Sequence, residues 1–480
     1  MASLNSSSSI KIHEHCHVSP PPTSPHSSIP LTAFDFFWLR FHPVERIFYY
    51  TFPSPDTDSS FFFHKLVPTL KTSLSHTLQH FLPLAGNIVW PSDSEIPIVQ
   101  YNPGDDGVSL VIAESELDLK HVLDNSPNDA AVSHSFVPHL ESSDSLASVI
   151  SLQVTLFPNS GFSIGISTHH AVLDGKSSTM FIKAWASLCQ QDQEPTCLVP
   201  ELVPFFDREA LKDQPTLDSL LESSSKLFTD DNNNARNLKI LPFPPKLENS
   251  VRASFNLTRA DLEKIKKRVL SKWDMVVIDE EESNNNSTLY PKPSTLSTFI
   301  LTCSYVSVCT AKAIQGVESN KNKFAFAFTV DCRNRLLEPP IPTNYFGNCV
   351  WGHFIDTKPN NYTEEDGEVI VAKNIYNKIK MISDKGVLEG AKNVSSRFKS
   401  ALREGVELMS IAGSTRFGVY GIDFGLGKPN KVEITSVDRS LTFGISDSRD
   451  EKGGVEVGLV LNKDVMKLFD TLFHEGLCID

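Results

Sequence analysis

Two period-2 apolar runs, Ser148–Leu156 and Phe162–Thr168, flank a Pro-Asn-Ser-Gly turn at 158–161, and a helical stripe follows at Met180, Phe181, Ala184, Trp185 and Leu188. Alternation of this kind reads as a hairpin, and spacing by three and four as an amphipathic helix. The order returns at the end of the chain. Val432–Val437, Thr442–Ser446 and Val455–Leu461 read as strands, the last two joined through Asp-Glu-Lys-Gly-Gly at 450–454. A closing helix then carries Val465, Met466, Phe469, Leu472 and Phe473 on one side. No repeat is visible residue by residue. A hairpin feeding a helix, twice, predicts two α+β units with mixed or antiparallel sheets rather than alternating βα units of a parallel sheet. With 480 residues the chain is too long for one ordinary core. The expected division is a first domain over 1–195, a crossover linker over 196–250 and a second domain over 251–480.

Other elements follow from the same signals. Leu66, Leu70, Leu74, Leu78 and Phe81 predict a helix within 62–82, stopped by Pro83 and Gly86. Ile88–Tyr101, Val108–Glu114, Val251–Leu257 and Phe324–Asp331 read as strands. Thr258 stands three residues before Asp261, at capping spacing, and opens a helix through Lys272. Ser297–Ala313 reads as an apolar helix, and the Lys-rich, Pro-free run 369–409 is helical in character. Residues 1–30 are expected to be an extended lead-in. The acidic, Asn-rich stretches Asp230–Asn234 and Asp279–Asn286 read as solvated loops.

A net charge of −14 argues against nucleic acid and against an anionic membrane surface as partners. The eight cysteines are scattered, with no Cys-x-x-Cys pair, which points to free thiols in a reduced, cytosolic protein. His13, His15 and His17 alternate, but no cluster has the character of a real metal site, so no metal is expected. The N-terminus lacks the pattern of a secretory signal, and no apolar run reaches the length of a membrane span.

The first hairpin ends in His169-His170, and Asp174-Gly175 follow before the helix. An imidazole at the mouth of a strand can take a hydroxyl proton near neutrality and return it. The spacing by itself fits equally a turn histidine with Asp174 capping the helix. Gly161-Phe-Ser163-Ile-Gly165 matches a hydrolase nucleophile elbow, but that elbow needs a helix directly after the serine. Here strand pattern continues through Thr168, so Ser163 reads as an ordinary strand residue.

Four further blocks carry a resemblance. Asp423-Phe-Gly-Leu-Gly427 resembles the Asp-Phe-Gly-Trp-Gly signature of the plant BAHD acyltransferases, with Leu426 where the family usually has Trp. Tyr345-Phe-Gly-Asn-Cys349 matches the signature of its anthocyanin and flavonoid acyltransferase clade. Leu31–Arg40 with Pro43-Val-Glu-Arg46, and Val330–Arg335, are similar to that clade as well. The resemblance covers essentially the whole chain. It implies two chloramphenicol-acetyltransferase-like domains with mixed β-sheets flanked by helices, and an active-site channel at their interface. The first domain would carry the His170/Asp174 motif, the second the Tyr345–Cys349 and Asp423–Gly427 motifs.

The implied activity is acyl transfer from coenzyme A to an alcohol, with acyl-CoA as co-substrate and no bound cofactor. The clade points to malonyl-CoA and to a sugar hydroxyl of a flavonoid, isoflavonoid or anthocyanin glucoside. An aromatic (hydroxycinnamoyl) or acetyl donor is the alternative within the fold, and a non-catalytic binding protein the alternative outside catalysis. His170 is the implied general base. Asp174 would face away and pair with an arginine, Arg333 first and Arg335 second, while Gly175, Asp423, Gly425 and Gly427 shape loops. The CoA phosphates would meet Lys264, Lys266, Lys267 and Arg268, with Ser297 and Thr298 as further donors. Lys176, Ser414 and Arg416 are candidates for the acyl group or the oxyanion. The expected protein is a cytosolic monomer acting on small molecules.

Overall fold

The computed structural model describes residues 10–479 apart from 55–56, 192–196, 212–216, 218, 221–235, 243–247, 277–289, 319–322, 337–339 and 356. The asparagine-rich stretches at 230–234 and 279–286 fall outside the described residues.

Two large mixed sheets organise the chain. The first has six strands, in the order Ile10–Val18, Val108–Ser115, Ile150–Phe157, Gly161–Thr168, Val44–Thr51 and Lys431–Ile434. The second has seven, in the order Val350–Phe354, Lys323–Asp331, Val406–Gly413, Leu441–Asp447, Val455–Asn462, Ser250–Leu257 and Asn128–Asp129. Each contains parallel as well as antiparallel pairs. A smaller four-stranded sheet joins Ser27–Pro30, Ile98–Tyr101, Asn87–Val89 and Leu146–Ser148.

Both hairpin-plus-helix units are present. Ile150–Phe157 pairs with Gly161–Thr168 and leads into the helix Gly175–Cys189, and Leu441–Asp447 pairs with Val455–Asn462 ahead of the helix Lys463–Cys478. All eight residues of Gly161–Thr168 are buried, because this strand is paired on both edges and covered on both faces. Ser163 sits inside it, as an ordinary strand residue would. Helices Val67–His80 and Gly175–Cys189 cover the first sheet and are pinned together where Trp185 Nε1 donates to Leu70 O and Ser73 Oγ. The helix Arg259–Lys272 starts on the capping box of Thr258 and Asp261.

The chain also departs from its sequence pattern in places. The extended lead-in is more than a lead-in: Ile10–Val18 is the edge strand of the first sheet, with His13 on Glu114 and His15 on Ser109. Ile88–Tyr101 is broken into two short strands, since Pro91 and Pro97 cannot donate to a ladder. The 369–409 run supplies helices Gly367–Lys385 and Val394–Arg403, but its end enters Val406–Gly413, an inner strand parallel to both neighbours. The helix Thr298–Val317 is long and apolar enough to cross a membrane, contrary to the reading of the sequence, yet 78% of that stretch is buried within the protein. Its apolar surface is core surface.

The sheets also ignore the boundary at 196–250. Lys431–Ile434 joins Val44–Thr51 in the first sheet, and Asn128–Asp129 joins Ser250–Leu257 in the second. Val432–Val437 is therefore a short strand of the first sheet followed by a 3-10 turn over Thr435–Arg439. The motif at 423–427 moves with it: Phe424 packs in the first core, between the rings of Tyr50 and Trp185.

Candidate active site

The strand Gly161–Thr168 delivers two histidines to a tight turn, and the two face different surroundings. His169 is fully buried, its backbone N–H on Val149 O and its Nδ1 accepting from Ala171 N. Burial holds its pKa down at about 3, with the neighbouring His170 adding to the effect. His170 turns the other way. Its ring lies flat on Trp38, with centroids 3.9 Å apart and planes 5° from parallel, and Phe41 stands edge-on to it. Burial lowers the His170 pKa to about 4, and the charge His42 would carry lowers it further, against its own backbone, Asp174 and Asn348. The imidazole is thus neutral at physiological pH and able to accept a proton. Nδ1 is buried without a partner, as is the nearby Asn348 Oδ1. Nε2 is the nitrogen left for a substrate.

Asp174 does not hydrogen-bond to His170. It caps the helix Gly175–Cys189 by accepting from Ser177 N at 2.8 Å, accepts from Cys349 N at 3.2 Å, and pairs with Arg333 at 2.8 Å. Arg333 is completely buried. Its guanidinium also donates to Tyr345 O, Gly347 O, Ser177 Oγ and Asp331. Burial pulls its pKa down, but Asp174 and then Asp331 more than reverse this and hold it above its ordinary value. Arg335, the second candidate, donates to Asp331 O instead. One cation therefore ties the histidine turn to the loops 331–333 and 345–349 across the two halves of the chain. Gly175 is required by contact: a Cβ there would lie 2.8 Å from the Phe417 ring.

Three residues that no sequence reasoning assigned complete the turn. Asn348 Nδ2 donates to His170 O at 2.7 Å and to Asp35 Oδ1 at 3.1 Å, and Asn348 N donates to the same oxygen at 3.1 Å. Asp35 sits on the short helix Ala33–Phe36 that leads to Trp38. So Asp35 and Asn348 fix the backbone of the histidine while Trp38 fixes its ring. Their only signal in the sequence was membership of the blocks 31–40 and 345–349.

The remaining candidates are dispersed. Lys176 lies 3.8 Å from Asp331, the carboxylate that Arg333 also contacts. Ser414 Oγ accepts from Arg416 N in the loop after Val406–Gly413, and Arg416 is exposed. In the basic helix, Arg268 is committed to a two-pronged pair with Glu368, Lys266 to Glu263 at 2.5 Å, and Lys264 to Leu477 O. Lys267 is exposed. The Ser297 hydroxyl caps its own helix by accepting from Ile300 N, and Thr298 is the first helical residue. Among the described residues none of these bonds to the histidine turn. Asp423 Oδ1 accepts from Gly425 N at 2.7 Å and Gly427 N at 2.9 Å, and both glycines adopt positive φ, 92° and 99°. Leu426 is partly buried against the first core. No group of His, Cys, Asp and Glu among the described residues could hold a metal ion.

The comparisons agree with this geometry. The chain is 38% identical to phenolic glucoside malonyltransferase 1 of Arabidopsis thaliana, over 98% of each chain. It is 40% identical to malonyl-CoA:anthocyanidin 5-O-glucoside-6''-O-malonyltransferase of the same plant, over 99% of this chain and 100% of that one. The fold is shared with the crystal structure of vinorine synthase, at a TM-score of 0.62 and 21% identity over 96% of each chain. A neutral histidine at the end of a buried strand, its aspartate tied away from it, and the match of the Transferase family model to residues 8–475 lead to one conclusion: the chain belongs to the Transferase family, the BAHD acyltransferases, and is an acyl-CoA-dependent acyltransferase.

Proposed function

We propose that the protein transfers malonyl from malonyl-CoA to a sugar hydroxyl of a flavonoid or related phenolic glucoside, with His170 as the general base. The observation that carries the reading is the isolation of His170: neutral, clamped on Trp38, and with no carboxylate among the described residues sharing its proton. A thioester is already activated, so no acyl-enzyme is required. The imidazole takes the proton of the sugar hydroxyl as the oxygen attacks the thioester carbonyl. The tetrahedral oxyanion collapses, the C–S bond breaks, and the proton on His170 goes to the departing CoA thiolate. Both substrates must be bound together, which suits a site built between two halves of a chain.

The donor and acceptor classes rest on the relatives' malonyltransferase names. We take Lys267 as the cation of the basic helix most available for CoA phosphates, since its neighbours are engaged. Work in the reducing cytosol fits eight free cysteines.

Thiol release from malonyl-CoA and coumaroyl-CoA, side by side on a panel of phenolic glucosides with products read by mass spectrometry, tests the reading. Malonylated glucosides should dominate, and His170→Ala should lower kcat by about 10³-fold with an unchanged melting temperature. Turnover retained in that variant refutes the mechanism; preference for coumaroyl-CoA refutes the donor.

A further inference from the structure

Between the two large sheets lies a cavity with two arginines on its wall, Arg46 from the first sheet and Arg252 from the second. Their situations differ. Arg252 is engaged through both Nη atoms: it donates to Ile434 O and Thr435 O and pairs with Asp438 at 3.2 Å, and only its buried Nε is left over. Arg46 is 5% exposed, and among the described residues its side chain makes one hydrogen bond, from Nη1 to Thr179 Oγ1 at 3.1 Å. Among the described residues no carboxylate lies within ion-pair distance of it. Among the described residues its other N–H groups have no partner, and Arg46 is part of the cavity wall. Burial alone lowers its pKa, to about 10, which leaves it charged at neutral pH. A buried, unpaired guanidinium is costly to keep and offers a fork matched to a carboxylate.

The cavity also adjoins the histidine turn. Thr179 belongs to the helix capped by Asp174. Phe417, another wall residue, is the ring that packs on Gly175. Arg46 stands opposite Ile166 on the strand that ends just before His169 and His170.

Two carboxylates share the wall, and neither stands as a free opposing charge. Glu433 is matched by Lys431 at 2.9 Å and accepts from Ser133 and Tyr49. Glu456 accepts from the Tyr420 hydroxyl at 2.7 Å, and burial raises it to about 7, so a share of it is protonated.

We infer that Arg46 receives the free carboxylate of the donor's acyl group, and so selects dicarboxylic over plain acyl thioesters at this cavity. The inference rests on the malonyl-transfer reading above and names its specificity determinant. Charge-assisted, bidentate pairing is the kind of contact whose loss discriminates strongly between donors that carry the carboxylate and donors that lack it.

The test compares kcat/KM for malonyl-CoA and acetyl-CoA on one phenolic glucoside, in the full-length wild type, Arg46→Met and Arg46→Lys. The malonyl/acetyl ratio should fall about 100-fold in Arg46→Met and by a smaller factor in Arg46→Lys, which keeps the charge but loses the fork. An unchanged ratio, or equal losses with both donors, overturns the inference and leaves Arg46 a packing residue. Should Arg46→Met fail to fold, the ratio in Arg46→Lys decides alone. A wild type that ignores malonyl-CoA refutes the donor assignment itself, a result visible before any variant is made.

Discussion

Two loops of this protein are built around an aspartate, and they use it in opposite ways. Asp174 is buried, and its oxygens reach Ser177 N, Cys349 N and the Arg333 guanidinium, partners up to 175 residues away. Asp423 is half-buried, and among the described residues its side chain reaches only Gly425 N and Gly427 N, two and four residues on. The first is a long-range tie between the halves of the chain; the second is a local turn closed by its own backbone. A motif aspartate is therefore informative about chemistry only once its partner is known. Here neither one orients the base.

The comparison makes a graded set of expectations. Asp174→Asn takes the buried counter-charge from Arg333 and leaves it only the partly exposed Asp331, which should cost about 3 kcal/mol, read as a large drop in melting temperature alongside lost activity. If that variant were as stable as the wild type, the tie would carry no energy and the contrast with Asp423 would fail.

The next effect is one of pH. A neutral His170, depressed to about 4 by burial, keeps the base competent above that value, so kcat/KM should hold level through pH 6.5 and fall only as pH drops toward 4. Stability falls over the same window. His42, His169, His170 and His353 are all depressed by burial, so the unfolded chain binds more protons than the folded one below about 6.5. Rates taken in brief pH jumps, with melting temperatures measured in parallel, separate the two. An acid limb near 6.5 in the jump data would mean that His170 is solvated as an ordinary imidazole.

Asp423→Ala removes acceptors from two amides at a partly exposed turn and should cost about 1 kcal/mol, with kcat retained. A large loss of kcat there would mark the loop as part of the site. Leu426→Trp, restoring the family's usual residue, should shift stability by less than about 0.5 kcal/mol, measured by denaturant midpoint. Leu426 is partly buried and packs on the first core.

How much of this was legible in the sequence depended on range. The Thr258/Asp261 cap, the two hairpins and the helices after them were readable because each is fixed by partners a few residues apart. Val406–Gly413 was not, because its neighbours in the sheet, Lys323–Asp331 and Leu441–Asp447, are remote in sequence and the Lys-rich run before it sets no period. The Arg333 partner of Asp174 was reached only through family resemblance. The resemblance marked the blocks that hold Asn348 and Trp38 but gave neither residue its place against the histidine.

The order of residues determined the local pieces: strand, turn, cap and amphipathic face are settled by short-range hydrogen bonds and by the period at which apolar side chains recur. Only the folded chain decided which pieces meet. Lys431–Ile434 crosses into the first sheet, Arg333 reaches Asp174, and Arg46 lines a cavity with no ion-pair partner among the described residues. These outcomes depend on closing loops of tens to hundreds of residues and on which buried charges find partners, and no local pattern encodes either.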